Sequence, residues 1–161
     1  ICQAPFWFGV RHWGVSWDTQ VPSTKYNPRR MKFNLVDQIL EQEEGLIKTV
    51  KKVSHDEEYL RDHFPTFPIL PGVMMLEAMV QAASRLCSKG GQRLVLGEVK
   101  AVKYGAMVKP GDRLRCKVNI VKENPDGSFA CKGTGTVLKT DNEETQTAVA
   151  GRFTIRPVRM F

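Results

Sequence analysis

The hydrophobic and polar positions of this chain follow two periods, one typical of β-strands and one typical of a helix. In residues 113–120, apolar side chains at the even-numbered positions alternate with polar ones, as a half-buried antiparallel strand requires. In residues 73–87, apolar side chains instead cover nearly the whole circumference of a helix, which should therefore be buried by sheet on most sides. The pattern predicts an α+β domain with one long central helix among strands.

Turn signals separate these elements along the chain. Pro71 can be the first residue of the long helix, because its missing N–H would have no partner there, and Gly90 and Gly91 would end the helix. Earlier in the chain, Ser54 would cap a brief helix that ends near Arg61. Strands are predicted at residues 46–53, 93–107, 113–122, 129–138 and 145–156, and residues 31–41 would form a short helix or the start of a strand.

The composition fits one folded domain. With 161 residues, of which 42% are hydrophobic and 25% charged, the chain can bury one core. It contains no run of about eighteen apolar residues for a membrane span, and its apolar start lacks the basic region of a signal peptide. We therefore expect a soluble, cytoplasmic protein.

The cysteines indicate a reducing compartment. None of the four, which are Cys2, Cys87, Cys116 and Cys131, belongs to a C-x-x-C pair. Cys116 and Cys131 occupy predicted core-facing positions of strands, so we interpret the cysteines as reduced, buried thiols. No group of His, Cys, Asp and Glu has the spacing of metal ligands, and a metal site is not expected.

The formal net charge of +7 raises the question of an anionic partner. The basic residues are scattered through strand-like segments, for example Arg113, Arg115 and Lys117, and no nucleic-acid-binding motif or interleaved aromatic platform accompanies them. They fit a solvated strand face better than a nucleic-acid surface. They would suit an acidic protein partner equally well.

Residues 1–30 differ from the rest of the chain. They contain all three tryptophans, Trp7, Trp13 and Trp17, and no clear helical or strand period. We expect either a tag remnant or a start assigned too far upstream, with a native arm that packs its aromatic side chains on the domain or a partner as the alternative. The working domain is therefore residues 31–161.

His63 and Glu77 are the candidate catalytic pair. His63 precedes a proline-stiffened segment, and Glu77 lies one to two turns into the apolar helix. An imidazole titrates near neutrality and a carboxyl group in apolar surroundings can hold a proton, so the pair could remove one proton and deliver another. Glu77 also begins a polar stripe on the helix, since Gln81, Arg85 and Ser88 follow it at spacings of three or four.

Each of these features has a simpler interpretation. The polar stripe could be the solvent-facing edge of the helix, which we expect for its later members, and His63 could be a hydrogen-bonded core residue. Neither His12 nor His55 lies next to a helix start that faces a carboxylate, as His63 does, so we expect them in loops or on the surface. The prolines of residues 65–71 match a P-x-x-P ligand, although the apolar residues between them favour packing.

Together these residues resemble a known signature. Residues 62–73 (DHFPTFPILPGV) and 76–81 (LEAMVQ) are similar to that of the (3R)-hydroxyacyl-[acyl-carrier-protein] dehydratases of the FabZ/FabA type. The resemblance extends over about residues 33–156 and includes residues 33–37 (FNLVD) and 108–112 (VKPGD). Histidine, prolines, glycine and glutamate all have matching separations, which makes the resemblance specific.

The resemblance implies the hot-dog fold, in which a curved antiparallel sheet wraps a long central helix. It also implies a homodimer in which His63 of one subunit faces Glu77 of the other, often assembled further as a trimer of dimers. The implied reaction removes water from a 3-hydroxyacyl thioester of acyl carrier protein and gives the trans-2-enoyl thioester, in fatty acid biosynthesis. No metal or other bound cofactor is implied.

The resemblance also assigns roles to residues. His63 would take the proton alpha to the thioester carbonyl, and Glu77 would assist the departing hydroxyl. The carbonyl would lie against backbone N–H groups near Gly72 and Val73, at the positive end of the helix, where a glycine lets the acyl chain approach the backbone. Gln81 would orient the Glu77 carboxylate next to the substrate. The basic surface would meet an acidic acyl carrier protein, without nucleic acid or membrane as partners.

Three positions depart from the family pattern. Asp62 and Thr66 stand where glycine is usual, and Phe67 replaces a small or polar residue. Asp62 adds a negative charge beside the base, and Phe67 would contact the acyl chain and reshape its tunnel. Because hot-dog folds also host other activities, an acyl thioesterase with Glu77 activating water and a non-catalytic acyl-carrier-binding subunit remain alternatives.

Overall fold

An antiparallel β-sheet and one helix pack together in this protein, for which a computed structural model describes residues 33–88, 92–139 and 142–158. The elements are β1 Gln38–Glu43, β2 Leu46–Lys52, a 3₁₀ helix Glu58–Leu60, α1 Gly72–Cys87, β3 Leu94–Tyr104, β4 Arg113–Glu123, β5 Phe129–Lys139 and β6 Asn142–Pro157. Within these ranges the six strands have the order β1-β2-β4-β5-β6-β3 in the sheet. Helix α1 lies between β2 and β3 in the sequence.

The predicted alternation of β4 is confirmed. Leu114, Cys116 and Val118 are buried at 0–1% exposure, whereas Arg115 and Lys117 between them are exposed. The partners of the buried residues on β5 face the same side, because directly opposed residues of an antiparallel pair share a face of the sheet. This inner face and helix α1 enclose the core.

Glycines let the helix approach the sheet closely. Gly133 of β5 lies directly opposite Gly151 of β6, and a Cβ atom at Gly133 would come within 2.5 Å of the Met79 sulfur. Met79 is fully buried in the helix. A side chain on this part of the sheet would therefore push the helix outward, which explains glycine inside a strand.

The start of the long helix differs from the prediction by one residue. Pro71 precedes the helix with ψ at 140°, outside the helical region, and its carbonyl accepts the first hydrogen bonds from Met74 (2.9 Å) and Met75 (3.2 Å). Pro71 is thus the N-cap, and Gly72 is the first helical residue. The helix ends at Cys87, and the predicted stop signal at Gly90 and Gly91 lies outside the described residues.

The predicted helix after Ser54 is wrong in its cap and its length. The Ser54 hydroxyl accepts a hydrogen bond from the Asp56 N–H at 3.3 Å, which makes a local turn instead of a helix cap. A 3₁₀ helix of three residues follows at Glu58–Leu60 without a side-chain cap. Residues 33–37 precede β1 without helix or strand, so the alternative of a strand start in this region was the correct one.

Three of the cysteines, Cys87, Cys116 and Cys131, are buried as predicted and form no disulfide bond. Cys2 and the whole interpretation of residues 1–30 lie outside the described residues. None of the described helices has the length and apolar character to cross a membrane. The described part of the unit that begins at Asn34 contains every element named above.

Candidate active site

His63 lies in the segment between the 3₁₀ helix and α1, and hydrogen bonds fix its ring. Its backbone carbonyl accepts the Ile69 N–H at 3.3 Å, and its side-chain Nδ1 is 3.1 Å from the Ile69 carbonyl oxygen. The next residue, Leu70, donates its N–H to the Val108 carbonyl at 2.8 Å. The segment is therefore closed on itself and tied to the loop before β4.

The hydrogen bond to Ile69 determines which ring nitrogen of His63 can act as a base. A carbonyl oxygen only accepts, so Nδ1 must carry the hydrogen that joins them. In the neutral imidazole the lone pair is then on Nε2. The ring is half-buried and lies 4.5 Å from the Phe64 ring, centroid to centroid, which limits its rotation further.

The helix start brings backbone N–H groups beside this segment. Gly72 and Val73 are the first two residues of α1, so their N–H groups have no acceptor one turn back in the helix. Val73 is 70% exposed. A Cβ atom at Gly72 would come within 2.9 Å of Cε1 of Tyr104, the last residue of β3. In this chain, the space beside Gly72 is thus filled by an aromatic ring.

Glu77 lies one turn further along α1 and is held by a chain of hydrogen bonds. Gln81 donates from Nε2 to Oε1 of Glu77 at 3.1 Å. The Gln81 oxygen accepts the Leu35 backbone N–H at 3.0 Å, which fixes the orientation of the amide group. Arg85 donates to the Asn34 side-chain oxygen at 2.9 Å. The predicted polar stripe is therefore a hydrogen-bonded connection between the helix and residues 34–35.

Within one chain, the two candidate catalytic side chains are not bonded to each other. Among the described residues, no hydrogen bond or ion pair connects His63 with Glu77. His63 is bonded to Ile69, and Glu77 is bonded to Gln81, leaving the second carboxylate oxygen of Glu77 for another partner. Both side chains are half-buried.

Large apolar side chains are exposed on the His63 segment, at the start of α1 and in residues 104–107. Phe67 is 44% exposed and has the Lys109 ammonium 4.7 Å above its ring. Apolar surface that faces water in this way is typical of a ligand site or a protein interface. The others on these segments are Phe64, Val73, Tyr104 and Met107, with exposures of 51–70%.

The buried thiols are unsuited to nucleophilic catalysis. Burial raises the pKa of the Cys116 thiol to about 12. The pKa of Cys131 is raised by its hydrogen bond with Cys87 and by burial. Because the thiolate is the reactive form, these cysteines are inert packing residues at neutral pH. No group of three His, Cys, Asp or Glu side chains within the described ranges is placed to hold a metal ion.

Known proteins with related sequences identify the family. A model of the FabA-like domain matches residues 27–147. The chain belongs to the FabA-like family. The 3-hydroxyacyl-[acyl-carrier-protein] dehydratase FabZ of Blochmanniella pennsylvanica is 40% identical to this FabA-like chain over 124 residues, which are 73% of the chain and 79% of that protein. The FabZ of Sodalis glossinidius is 38% identical over 123 residues, which are 72% and 79% respectively.

A solved structure agrees with the fold of the FabA-like chain. The dehydratase heterocomplex ApeI:P from Xenorhabdus doucetiae has a chain that is 19% identical, with a TM-score of 0.59, and the match covers 75% of this chain and 96% of that one. At this identity the likeness concerns the fold alone. The predicted hot-dog fold, the predicted FabZ/FabA family and the predicted enzyme class, a dehydratase and hence a lyase, are confirmed.

Sequence reasoning missed two contacts that support the site of this FabA-like protein, those of Asn34 and Tyr104. The Arg85 side chain is exposed, as expected, but it donates a hydrogen bond to Asn34, which is 51 residues away in the sequence. Tyr104 fills the space beside Gly72 from the far end of another strand. No local pattern signals either contact, since both join elements that only the folded chain brings together.

Proposed function

We propose that this protein dehydrates (3R)-3-hydroxyacyl thioesters of acyl carrier protein to trans-2-enoyl thioesters in fatty acid biosynthesis, with His63 and Glu77 as the catalytic pair. The observation that carries the assignment of the base is the hydrogen bond between His63 and the Ile69 carbonyl, which leaves Nε2 as the basic nitrogen. Membership of the FabA-like family and the names of the FabZ relatives support the reaction and its substrate.

The reaction needs one proton removed and one group activated. His63 Nε2 takes the proton alpha to the thioester carbonyl, and the electron pair that this leaves forms the new double bond as the 3-hydroxyl departs. Glu77 gives a proton to the hydroxyl, which leaves as water. Afterwards His63 is protonated and Glu77 is a carboxylate, and proton exchange with solvent restores both. Gln81 bonds one Glu77 oxygen and leaves the other to face the hydroxyl.

The carbonyl of the thioester gains negative charge when the alpha proton leaves. The N–H groups of Gly72 and Val73, at the positive end of α1, are the donors that we assign to it. Their lack of acceptors within the helix supports this role. Phe67, exposed on the His63 segment, is assigned to the acyl chain.

Two copies of the chain form the site in this proposal. Among the described strands, β3 lies at the edge of the sheet and pairs with β6 alone. Nearly all of its eleven residues are exposed, Val95, Leu96 and Val99 among them at 36–42%. A long apolar edge strand exposes unpaired backbone groups, which soluble proteins usually cover. A second β3 from a partner subunit would cover them and would bring His63 of one subunit to Glu77 of the other. Further assembly as a trimer of dimers is part of the proposal.

The partner protein is proposed to be an acyl carrier protein of acidic surface. The net charge of +7 on this chain supports such a partner, because opposite charge accelerates encounter and fixes orientation. No nucleic acid or membrane partner is proposed. The cytoplasmic location predicted from the sequence stays a prediction.

Hydration of a trans-2-enoyl thioester, the reverse reaction, tests the function directly by the loss of absorbance of the conjugated bond. We expect His63→Ala and Glu77→Ala each to reduce the rate by about 100- to 10,000-fold while the fold is kept. His55→Ala is the matched control, since His55 is exposed and lies outside the site. Absence of hydration by the well-folded protein at every chain length contradicts the proposal. Release of free thiol without this hydration would assign a thioesterase instead.

A further inference from the structure

The outer face of the sheet, opposite the helix, has a depression that the proposed reaction does not use. Its volume is about 380 Å³, within the range of small-ligand sites. We call it the outer basic depression. Its lining residues come from four neighbouring strands and are Lys100 of β3, Val121 of β4, Ala130, Cys131 and Lys132 of β5, and Arg152, Phe153 and Thr154 of β6.

Two β-bulges direct side chains into the outer basic depression. On β4, Ile120 pairs with Cys131 and Lys122 pairs with Ala130, so Val121 between them is an extra residue without a partner in the ladder. Val121 is 68% exposed. A bulge changes the direction of one side chain, and bulges are frequent beside functional sites.

The second bulge is on β3, on the other side of the depression. Val99 pairs with Phe153 and Ala101 pairs with Arg152, which leaves Lys100 as the extra residue. The strands on both sides of the β5–β6 pair therefore each insert one residue at the same place. One insertion brings an apolar side chain and the other brings an ammonium group.

Among the described residues, two of the three cations of the outer basic depression, Lys132 and Arg152, have no carboxylate partner. Lys132 lies directly opposite Arg152 in the β5–β6 pair, and like charges in opposed positions destabilise a sheet. Lys100 has the Glu98 carboxylate only at 3.9 Å, with both side chains about 60% exposed, which is a weak interaction. A bound anion would remove the repulsion among the three cations.

We propose that the outer basic depression binds an amphiphilic anion, which is a carboxylate or phosphate headgroup joined to a short alkyl chain. The headgroup binds between Lys132, Arg152 and Lys100, where charge-assisted hydrogen bonds hold it. The alkyl chain covers Val121 and Ala130. This site is separate from the catalytic pair, since neither His63 nor Glu77 lines the depression.

The test is isothermal titration of the full chain with octanoate and with octyl phosphate, beside inorganic phosphate and octanol. We expect saturable binding of one or both octyl anions, weaker binding of inorganic phosphate and none of octanol. Lys132→Gln and Arg152→Gln should each weaken binding by about 10-fold or more, because each removes one charged hydrogen-bond donor. Val121→Ser should weaken binding of the octyl anions and leave that of inorganic phosphate unchanged.

Lys117→Gln is the matched control, since it removes an exposed cation from the same strand as Val121 but outside the depression. Binding that is absent, or that Lys117→Gln weakens as much as Lys132→Gln does, overturns the proposal in favour of a diffuse charge effect. A third result would also overturn the proposal. If the unchanged protein binds no octyl anion and Lys132→Gln no longer binds an acidic carrier protein, the surface is assigned to a protein partner. Enoyl hydration by all four variants should remain unchanged, so that a failure here is distinct from a failure of the proposed reaction.

Discussion

The side-chain amide of Gln81 donates to the Glu77 carboxylate at 3.1 Å, from one helical turn further along α1. Because the Gln81 oxygen is occupied by the Leu35 N–H, the amide cannot turn around without losing both hydrogen bonds. The carboxylate oxygen that Gln81 binds is therefore fixed. The second oxygen is the one available to a substrate hydroxyl.

Gln81→Glu tests this positioning role, since the new carboxyl group keeps an oxygen for the Leu35 N–H and loses the donor to Glu77. We expect kcat for enoyl hydration to fall by about 10- to 100-fold, from the loss of one hydrogen bond to a charged group, with little change in KM. The loss should shrink at lower pH, where the new carboxyl group is protonated and can donate again. The measurement is the pH profile of kcat.

Ser84→Ala is the control for Gln81→Glu. Ser84 is half-buried on the same helix, and its hydroxyl makes no hydrogen bond among the contacts of the described residues. Its rate and pH profile should equal those of the unchanged protein. An unchanged kcat of Gln81→Glu at every pH contradicts the assigned role.

Gly72→Ala tests the contact at the start of the helix. A methyl group there would overlap the Tyr104 ring, at 2.9 Å from Cε1, and the ring would have to move. We expect kcat/KM to fall by about 10- to 100-fold, because small displacements at a substrate-binding backbone are costly to rate. Tyr104 is half exposed and able to move, so the thermal stability should change little.

The double variant Gly72→Ala with Tyr104→Ala separates the two causes. If displacement of the Tyr104 ring causes the fall in kcat/KM, the double variant has the same kcat/KM as Tyr104→Ala alone. If the losses in kcat/KM of the two single variants multiply in the double variant, the methyl group itself obstructs the substrate, independently of Tyr104.

Alkaline pH should destabilise the folded protein through its buried thiols. The pKa of Cys116 is raised by burial from 9.0 to about 12 in the folded state. Between these values the unfolded chain has lost the proton and the folded chain keeps it, so the free energy of unfolding decreases as pH rises from about 9 to about 12. Urea unfolding at a series of pH values measures this slope.

Cys116→Ala should make that slope shallower, because one raised thiol is removed. Val118→Ala is the comparison, since Val118 is equally buried on β4 and does not titrate. It should lower the free energy of unfolding at every pH and leave the slope unchanged. Equal slopes in Cys116→Ala and the unchanged protein would show that the thiol has no such effect.

The parts of the fold that the sequence predicted are those with a local pattern. The alternation in β4 and the continuous apolar circumference of residues 73–87 correspond to the observed strand and helix. Each pattern is local, because the position of a side chain along its own strand or helix decides whether it faces the core. Strand β6 runs from Asn142 to Pro157, beyond the predicted 145–156, since pairing with neighbours extends a strand past its own signal. The cap at Ser54 failed because a serine makes a local turn with Asp56 as readily as it caps a helix.

The candidate site was predictable only where its residues are close in sequence. His63, Gly72, Glu77 and Gln81 follow from one continuous signature, and Gln81 does bond Glu77. The contact of Asn34 with Arg85 depends on how the chain returns to the helix, which no local pattern encodes. The bulges of the outer basic depression were equally invisible, because one extra residue in a strand leaves no mark in composition or charge.

The most direct test of the account mixes two inactive proteins. His63→Ala and Glu77→Ala subunits are denatured together in equal amounts and refolded, so that mixed dimers form, and enoyl hydration is then measured. If each site takes His63 from one subunit and Glu77 from the other, a mixed dimer has one intact site, and activity returns to about a quarter of that of the unchanged protein. No recovery of activity, with mixed dimers demonstrated by mass spectrometry, would contradict a site shared between two copies of this chain.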